Sequence, residues 1–126
     1  MPTANKQSTM KPLLLSILTI IALCSSSLAT DEPTIEASAA AQHVGETVVL
    51  HGIVADVHQF NGGSVVLDLG SKYPNQMIDV YIPANVASAT GDMHEYVNKE
   101  MVVEGTIILY KGKPEIKLQD AGQLRR

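Results

Sequence analysis

The sequence predicts an all-β domain, a small five-stranded barrel with a short helix between strands 3 and 4. Three observations predict it. Short stretches of alternating apolar and polar residues recur between turn signals over residues 46–119. The first stretch is long and slips in phase after Gly52, as expected of a strand that bends to pair at both of its ends. A helical interval, residues 84–98, then separates the third stretch from the fourth.

Residues 30–35 read as a polar, mobile lead-in. Residues 36–44 are Ala-rich, with Ser38 as a candidate N-cap and Gly45 as a stop, and predict one or two helical turns. The first strand, 46–60, places Val48, Leu50, Val54 and Val57 toward a core, and Asn61-Gly62-Gly63 turns the chain. The second strand, 64–70, sets Val65, Leu67 and Leu69 against Val66 and Asp68. A loop with Pro74 follows. The third strand, 76–83, sets Ile78, Val80 and Ile82 against Asp79 and Tyr81. After the break at Gly91, Asp92 and Glu95 have the spacing of a capping box, and Met93, Tyr96 and Val97 fall at helical spacing. The last two strands are 100–110 and 114–119, joined by a tight hairpin at Lys111-Gly112-Lys113. Three strands, a helix and two strands is the order of the OB-fold, a five-stranded, partly open Greek-key barrel. A split sandwich of the same strands is the alternative.

The first 29 residues read as a leader rather than as domain. Lys6 and Lys11 precede an apolar run of 12 residues, 13–24, and Ser27-Leu28-Ala29 supplies small residues for a cleavage site. A bilayer span needs roughly 20 residues, so the expectation is a cleaved signal peptide, a periplasmic or secreted location, and no stable membrane span afterwards. Ile21-Ala22-Leu23-Cys24 is close to a lipidation motif but carries Leu23 where a small residue belongs, so Cys24 reads as a thiol discarded with the leader. Residues 30–126, with a core over about 44–124, then form one OB-fold domain without cysteine, hence without a disulfide, thiolate metal site or cysteine nucleophile. The whole chain has a net charge of −4. Without Lys6 and Lys11, the nine basic residues fall to seven against 13 acidic ones, a net charge of −6. A nucleic-acid binder usually carries a basic footprint, so here the few lysines would have to gather on one face.

Several short stretches go beyond pattern. His43-Val44-Gly45-Glu46, the spaced Val48, Leu50, Gly52 and Val54, Leu67-Asp68-Leu69-Gly70 and Tyr73-Pro74 resemble a family of bacterial OB-fold domains. So do Val102, Val103 and Gly105 with Tyr110-Lys111-Gly112-Lys113-Pro114-Glu115-Ile116, the most specific part. Such domains stand alone behind signal peptides or beside nuclease domains in exported proteins. The resemblance covers roughly residues 39–124 and implies nucleic-acid binding by analogy of fold.

An OB-fold binds oligonucleotides on the face of its second and third strands and the flanking loops. That face would present Val66, Asp68, Asp79 and Tyr81, and the loops Phe60, Asn61, Gly62, Tyr110, Lys111 and Lys113. The ligand-binding candidates are therefore Phe60, Asn61, Tyr81, Tyr110, Lys111 and Lys113: rings for base stacking, lysines for phosphate. Against this, Asp68 and Asp79 repel phosphate, Tyr81 reads equally as a half-covered strand residue, and the hairpin residues suit turn geometry alone. The four histidines show no metal-binding spacing, and ideal alternation puts His51 and His58 on opposite faces unless a bulge near Gly52 intervenes. No nucleophile elbow or phosphate-cradling glycine loop appears, so no catalytic residue, metal or cofactor is expected. The expected partner is single-stranded nucleic acid. The alternative is an envelope protein or an oligosaccharide.

Overall fold

Thirteen residues of continuous strand, β2 (Thr47–Gln59), organise the domain. The computed structural model describes residues 31–125. The expected leader and Cys24 lie outside the described residues. Ahead of β2 come β1 (Thr34–Glu36) and a 3-10 helix, Ala37–Gln42. After it follow β3 (Val65–Leu69), β4 (Ile78–Ile82), α1 (Ala84–Thr90), a 3-10 turn at His94–Tyr96, β5 (Glu100–Tyr110), β6 (Lys113–Lys117), a 3-10 turn at Ala121–Gln123, and β7 (Leu124–Arg125).

The N-terminal half of β2 pairs antiparallel with β5, and its C-terminal half pairs antiparallel with β3. β3 then pairs with β4, β4 runs parallel to β6, and β6 forms a hairpin with β5. The pairings β2–β3–β4–β6–β5–β2 thus return to their starting strand, and the outer edges of β2 and β5 are met by β1 and β7. β2 closes this ring because it changes partner at a register shift between Val54 and Asp56. Burial follows the shift: Val48, Leu50 and Val54 face inward on one phase and Val57 on the other. The phase slip expected after Gly52 therefore falls at Ala55. Gly52 serves a different need, since a Cβ there would meet the Ala37 Cβ at 3.0 Å.

The interior is filled from every strand of the ring. Leu50, Leu67, Leu69, Ile78, Ile82 and Ile116 have no exposed surface. Along β4 buried and half-buried residues alternate strictly, as period-two patterning requires. β5 keeps that alternation through Met101, Val103 and Ile107, and then runs out past the core, exposing Ile108, Leu109 and Tyr110. Lys111 (φ 51) and Gly112 (φ 81) are both left-handed, the conformation of the two-residue turn that matches strand twist.

Four local expectations are corrected. The lead-in is partly strand: Thr34–Glu36 lies parallel to β2, the Val49 N–H donates to the Pro33 carbonyl at 2.9 Å, and Ile35 packs on the core. Ser38 caps nothing, because the 3-10 helix starts at Ala37 with no side-chain cap. The α-helix between β4 and β5 is Ala84–Thr90, directly after Pro83, and buries Val86 and Thr90 one turn apart. The apparent capping box at Asp92 heads only a three-residue 3-10 turn, where Asp92 Oδ1 accepts from the His94 N–H at 3.0 Å. No helix among the described residues is long and apolar enough to cross a membrane.

Candidate functional site

The outer face of β3 and β4, walled by the protruding β5–β6 hairpin, forms a groove of about 970 Å3. Period-two alternation decides what it presents. Val66 and Asp68 on β3, Asp79 and Tyr81 on β4, and Lys113, Glu115 and Lys117 on β6 all share this face. Phe60 and Ser64, at either end of the β2–β3 loop, and Tyr73 and Gln76, from the β3–β4 loop, complete one side. The chain has one Phe, four Tyr and no Trp, and four of these five rings line the groove: Phe60, Tyr73, Tyr81 and Tyr110. Three of the five lysines beyond residue 30 line it too.

Each of these lysines stands over a ring. Lys111 Nζ is 5.4 Å from the Tyr110 centroid, Lys113 Nζ 5.7 Å from that of Tyr73, and Lys117 Nζ 5.9 Å from that of Tyr81. Lys113 Nζ also donates to the Pro74 carbonyl at 2.6 Å, tying the β3–β4 loop to the hairpin. A base that took a ring face would free the lysine above it for a neighbouring phosphate.

The floor is acidic. Strand register aligns Asp56 with Asp68, Asp68 with Asp79, and Asp79 with Glu115, a row of four carboxylates across β2, β3, β4 and β6. Asp68, almost wholly buried, accepts on Oδ2 from His58 Nε2 at 2.9 Å and from the Tyr73 N–H at 3.0 Å. Asp79 Oδ2 accepts from Gln76 Nε2 at 3.0 Å. Burial pushes the Asp79 carboxyl above its ordinary range, and Asp68 adds to the rise, while the Gln76 hydrogen bond and Lys113 pull it down. Burial likewise raises Glu115, helped by Asp79 and opposed by Lys117. The neighbouring Asp68 favours the protonated form of Asp79. When it is ionised, its buried Oδ1 has no protein donor, and neither does the buried Gln76 Oε1.

Five of the six sequence-predicted binding residues line the groove: Phe60, Tyr81, Tyr110, Lys111 and Lys113. Asn61 is not among its lining residues, although its neighbour Phe60 is. Tyr73, Gln76, Glu115 and Lys117 were missed. Lys117 and Glu115 were legible, since steps of two along β6 from Lys113 reach both. Tyr73 and Gln76 come from a loop, where no periodicity says which way a side chain points.

The histidines are scattered as expected, with one exception. His43 meets Glu46 at 3.1 Å, His51 meets Glu100 at 3.5 Å and His94 meets Asp92 at 2.9 Å, all at the surface. His58, placed in the groove by the β2 register shift, lies between Asp68 and Asp56, 3.8 Å from the latter. The ligand atoms of Asp56, His58 and Asp68 fall within 4.8 Å of one another, so this trio could hold a cation, a geometry that no sequence spacing announced. The hydrogen bonds from His58 and Tyr73 already account for the buried Asp68. A smaller cavity of about 480 Å3, between α1 and the ends of β2 and β3, has no tyrosine, phenylalanine or lysine in its lining.

No protein-family model matches the chain, and no curated protein matches it either. Among solved structures it is similar to the crystal structure of a protein assigned as an aspartyl-tRNA synthetase from Leishmania major Friedlin, with a TM-score of 0.52 at 14% identity. The match covers 76% of this chain and 21% of that one, so the present chain corresponds to about a fifth of that protein. At that identity the likeness is one of fold.

Proposed function

We propose that the protein is an exported, non-catalytic OB-type barrel that binds single-stranded nucleic acid along the β3–β4 groove. The observation that carries this is the convergence of four of five aromatic rings and three lysines on one face of an otherwise acidic chain. Stacking is worth about 1–3 kcal/mol per base and accepts any base, and lysines alongside hold the backbone. The five-strand ring and the strand order fit the OB-fold, whose binding face is this one. The structural neighbour, by its name, acts on tRNA, which supports the same class of ligand. Export rests on the leader pattern of residues 1–29 and on the resemblance to exported OB-fold domains.

Titration into labelled single-stranded DNA and RNA across a salt series tests this. Affinity should fall with rising salt, and replacing both Lys111 and Lys113 by Ala should make the log–log slope shallower by about 1.4, at about 0.7 per lost phosphate contact. An unchanged slope in the double variant would place the site elsewhere. The carboxylate row favours a second reading, an oligosaccharide whose hydroxyls donate to Asp79 and Glu115 while its sugar faces stack on tyrosine. Such binding would be nearly insensitive to salt.

A further inference from the structure

Of the four histidines, His58 is the one that meets two carboxylates. Its Nε2 stands 2.9 Å from Asp68 Oδ2 and 3.8 Å from Asp56 Oδ2. Among the described residues, Asp56, His58 and Asp68 are the one group of three metal-ligating side chains whose ligand atoms all fall within 4.8 Å. Strand geometry builds this group. Asp56 and His58 are two apart on β2 and so share a face, and Asp68 stands directly across from Asp56 on β3. All three are carried by paired strands, which hold ligands more precisely than a loop does.

The distances suit one shared ion. Bonds from a divalent metal to imidazole nitrogen and carboxylate oxygen are about 2.0–2.2 Å long, so two donors on one ion stand about 2.8–4.4 Å apart. Both separations from His58 lie in that range. The carboxylates are already turned for the task. Asp56 Oδ1 accepts the Val57 N–H at 2.9 Å, which leaves Oδ2 to face His58. Asp68 Oδ2 accepts the Tyr73 N–H at 3.0 Å and spends its other lone pair on His58 Nε2–H. A cation takes the place of that Nε2 proton, and the imidazole keeps a proton on Nδ1. The backbone donors stay in place, as the partners that orient ligating carboxylates do. The Asp56 and His58 side chains are 38% and 41% exposed, so the remaining coordination positions open to solvent.

We propose that Asp56, His58 and Asp68 bind a divalent transition-metal cation, of the manganese, cobalt or zinc type, at the β2 end of the groove. One imidazole with two carboxylates suits such ions, whereas calcium and magnesium take oxygen ligands almost alone. His58 and Asp68 line the groove, so the ion lies within it. It neutralises Asp56 and Asp68, two of the four carboxylates in the row. The site stands without the nucleic-acid reading. Under that reading the ion lowers the repulsion of phosphate and offers an open position to a phosphate oxygen.

Mn2+ alone, added to the isotopically labelled full chain, tests the site, because it broadens the amide NMR signals of residues near the bound ion. Substoichiometric Mn2+ should broaden residues 56–58 and 66–68 first, and a chelator should restore them. In His58→Gln the Mn2+ concentration needed for equal broadening should rise about 10- to 100-fold, the scale of losing even a supporting partner at a metal site. Asp56→Asn, at a partly exposed position, should do the same and decides the matter if His58→Gln fails to fold. His51→Gln should change nothing, since His51 meets a single carboxylate, Glu100. Broadening centred on other acidic residues, or unchanged in either folded variant, would overturn the proposal and leave His58 as an ion-pair partner alone. The probe contains no nucleic acid, so this outcome is separate from whether the groove binds a strand.

Discussion

Asp79 has a carboxylate opposite it on each side, Asp68 on β3 and Glu115 on β6. Its carboxyl is raised above the ordinary value of 3.8, by burial first and by Asp68 second. Between the unfolded and the folded pKa the native state therefore holds more protons than the unfolded one, and stability falls as pH rises through that window. The cost is fully present above the folded pKa and absent below the unfolded one. Asp79→Asn should thus stabilise the protein at pH 7 by about 0.2–1 kcal/mol, the scale of a like-charge cross-strand pair that is partly screened by solvent. The gain should vanish at pH values below about 3.8, the unfolded value. Thermal unfolding of both proteins at the two pH values measures this. A variant less stable at neutral pH would mean that Asp79 is held by a favourable partner. The carboxylates Asp68 and Asp79 were legible in the sequence as outward strand positions. That Glu115 and Asp56 extend their row was not, because register between strands distant in sequence is set by the parallel β4–β6 pairing and by the β2 register shift.

At the scale of elements, long strands were legible and short ones were not. β2, β4 and β5 alternate over enough residues for period two to stand out. β1 and β7, of three and two residues, carry no period, and their pairing to β2 and β5 depends on tertiary packing that no local pattern records. Of the helical interval 84–98 only the part before Gly91 is α-helix: Asp92 and Glu95 have capping-box spacing but meet a three-residue 3-10 turn, whereas Ala84–Thr90 has no side-chain cap and offers Val86 and Thr90 to the interior. A true capping box stands at Asp120 and Gln123, a spacing also present in the sequence. There Gln123 Oε1 accepts from the backbone N–H groups of Gln119 and Asp120 at 2.7 and 2.9 Å, and its Nε2 donates to the Glu104 carbonyl at 2.8 Å. One side chain thereby fastens the last turn and β7 to β5. Gln123→Ala should cost about 1–3 kcal/mol in denaturant unfolding, since it strips partners from several backbone groups at once. A loss below a few tenths would show that water replaces these bonds freely.

For the whole molecule, the central tension in the proposed function lies between an acidic chain and a ligand made of phosphates. Net charge is −4, and the groove that collects three lysines also collects Asp68, Asp79 and Glu115. The arrangement separates the two signs by position. Carboxylates occupy the middle of the floor, while on β6 the lysines flank Glu115 two residues to either side. In the proposed complex, bases stack on the rings while the backbone follows the lysines. The face was legible from strand alternation and the hairpin motif, and five of its six named residues line the groove. The depth of the acidic floor was not legible, because it emerges only when four strands are laid side by side.

Mapping amide chemical shifts by NMR, as single-stranded DNA is added at low salt, tests this account most directly. The account predicts saturable shifts concentrated at Phe60, Tyr73, Gln76, Asp79, Tyr81 and the Tyr110–Lys113 hairpin. Shifts confined to α1 or to the β1 and β7 edges, or none at all, would contradict it.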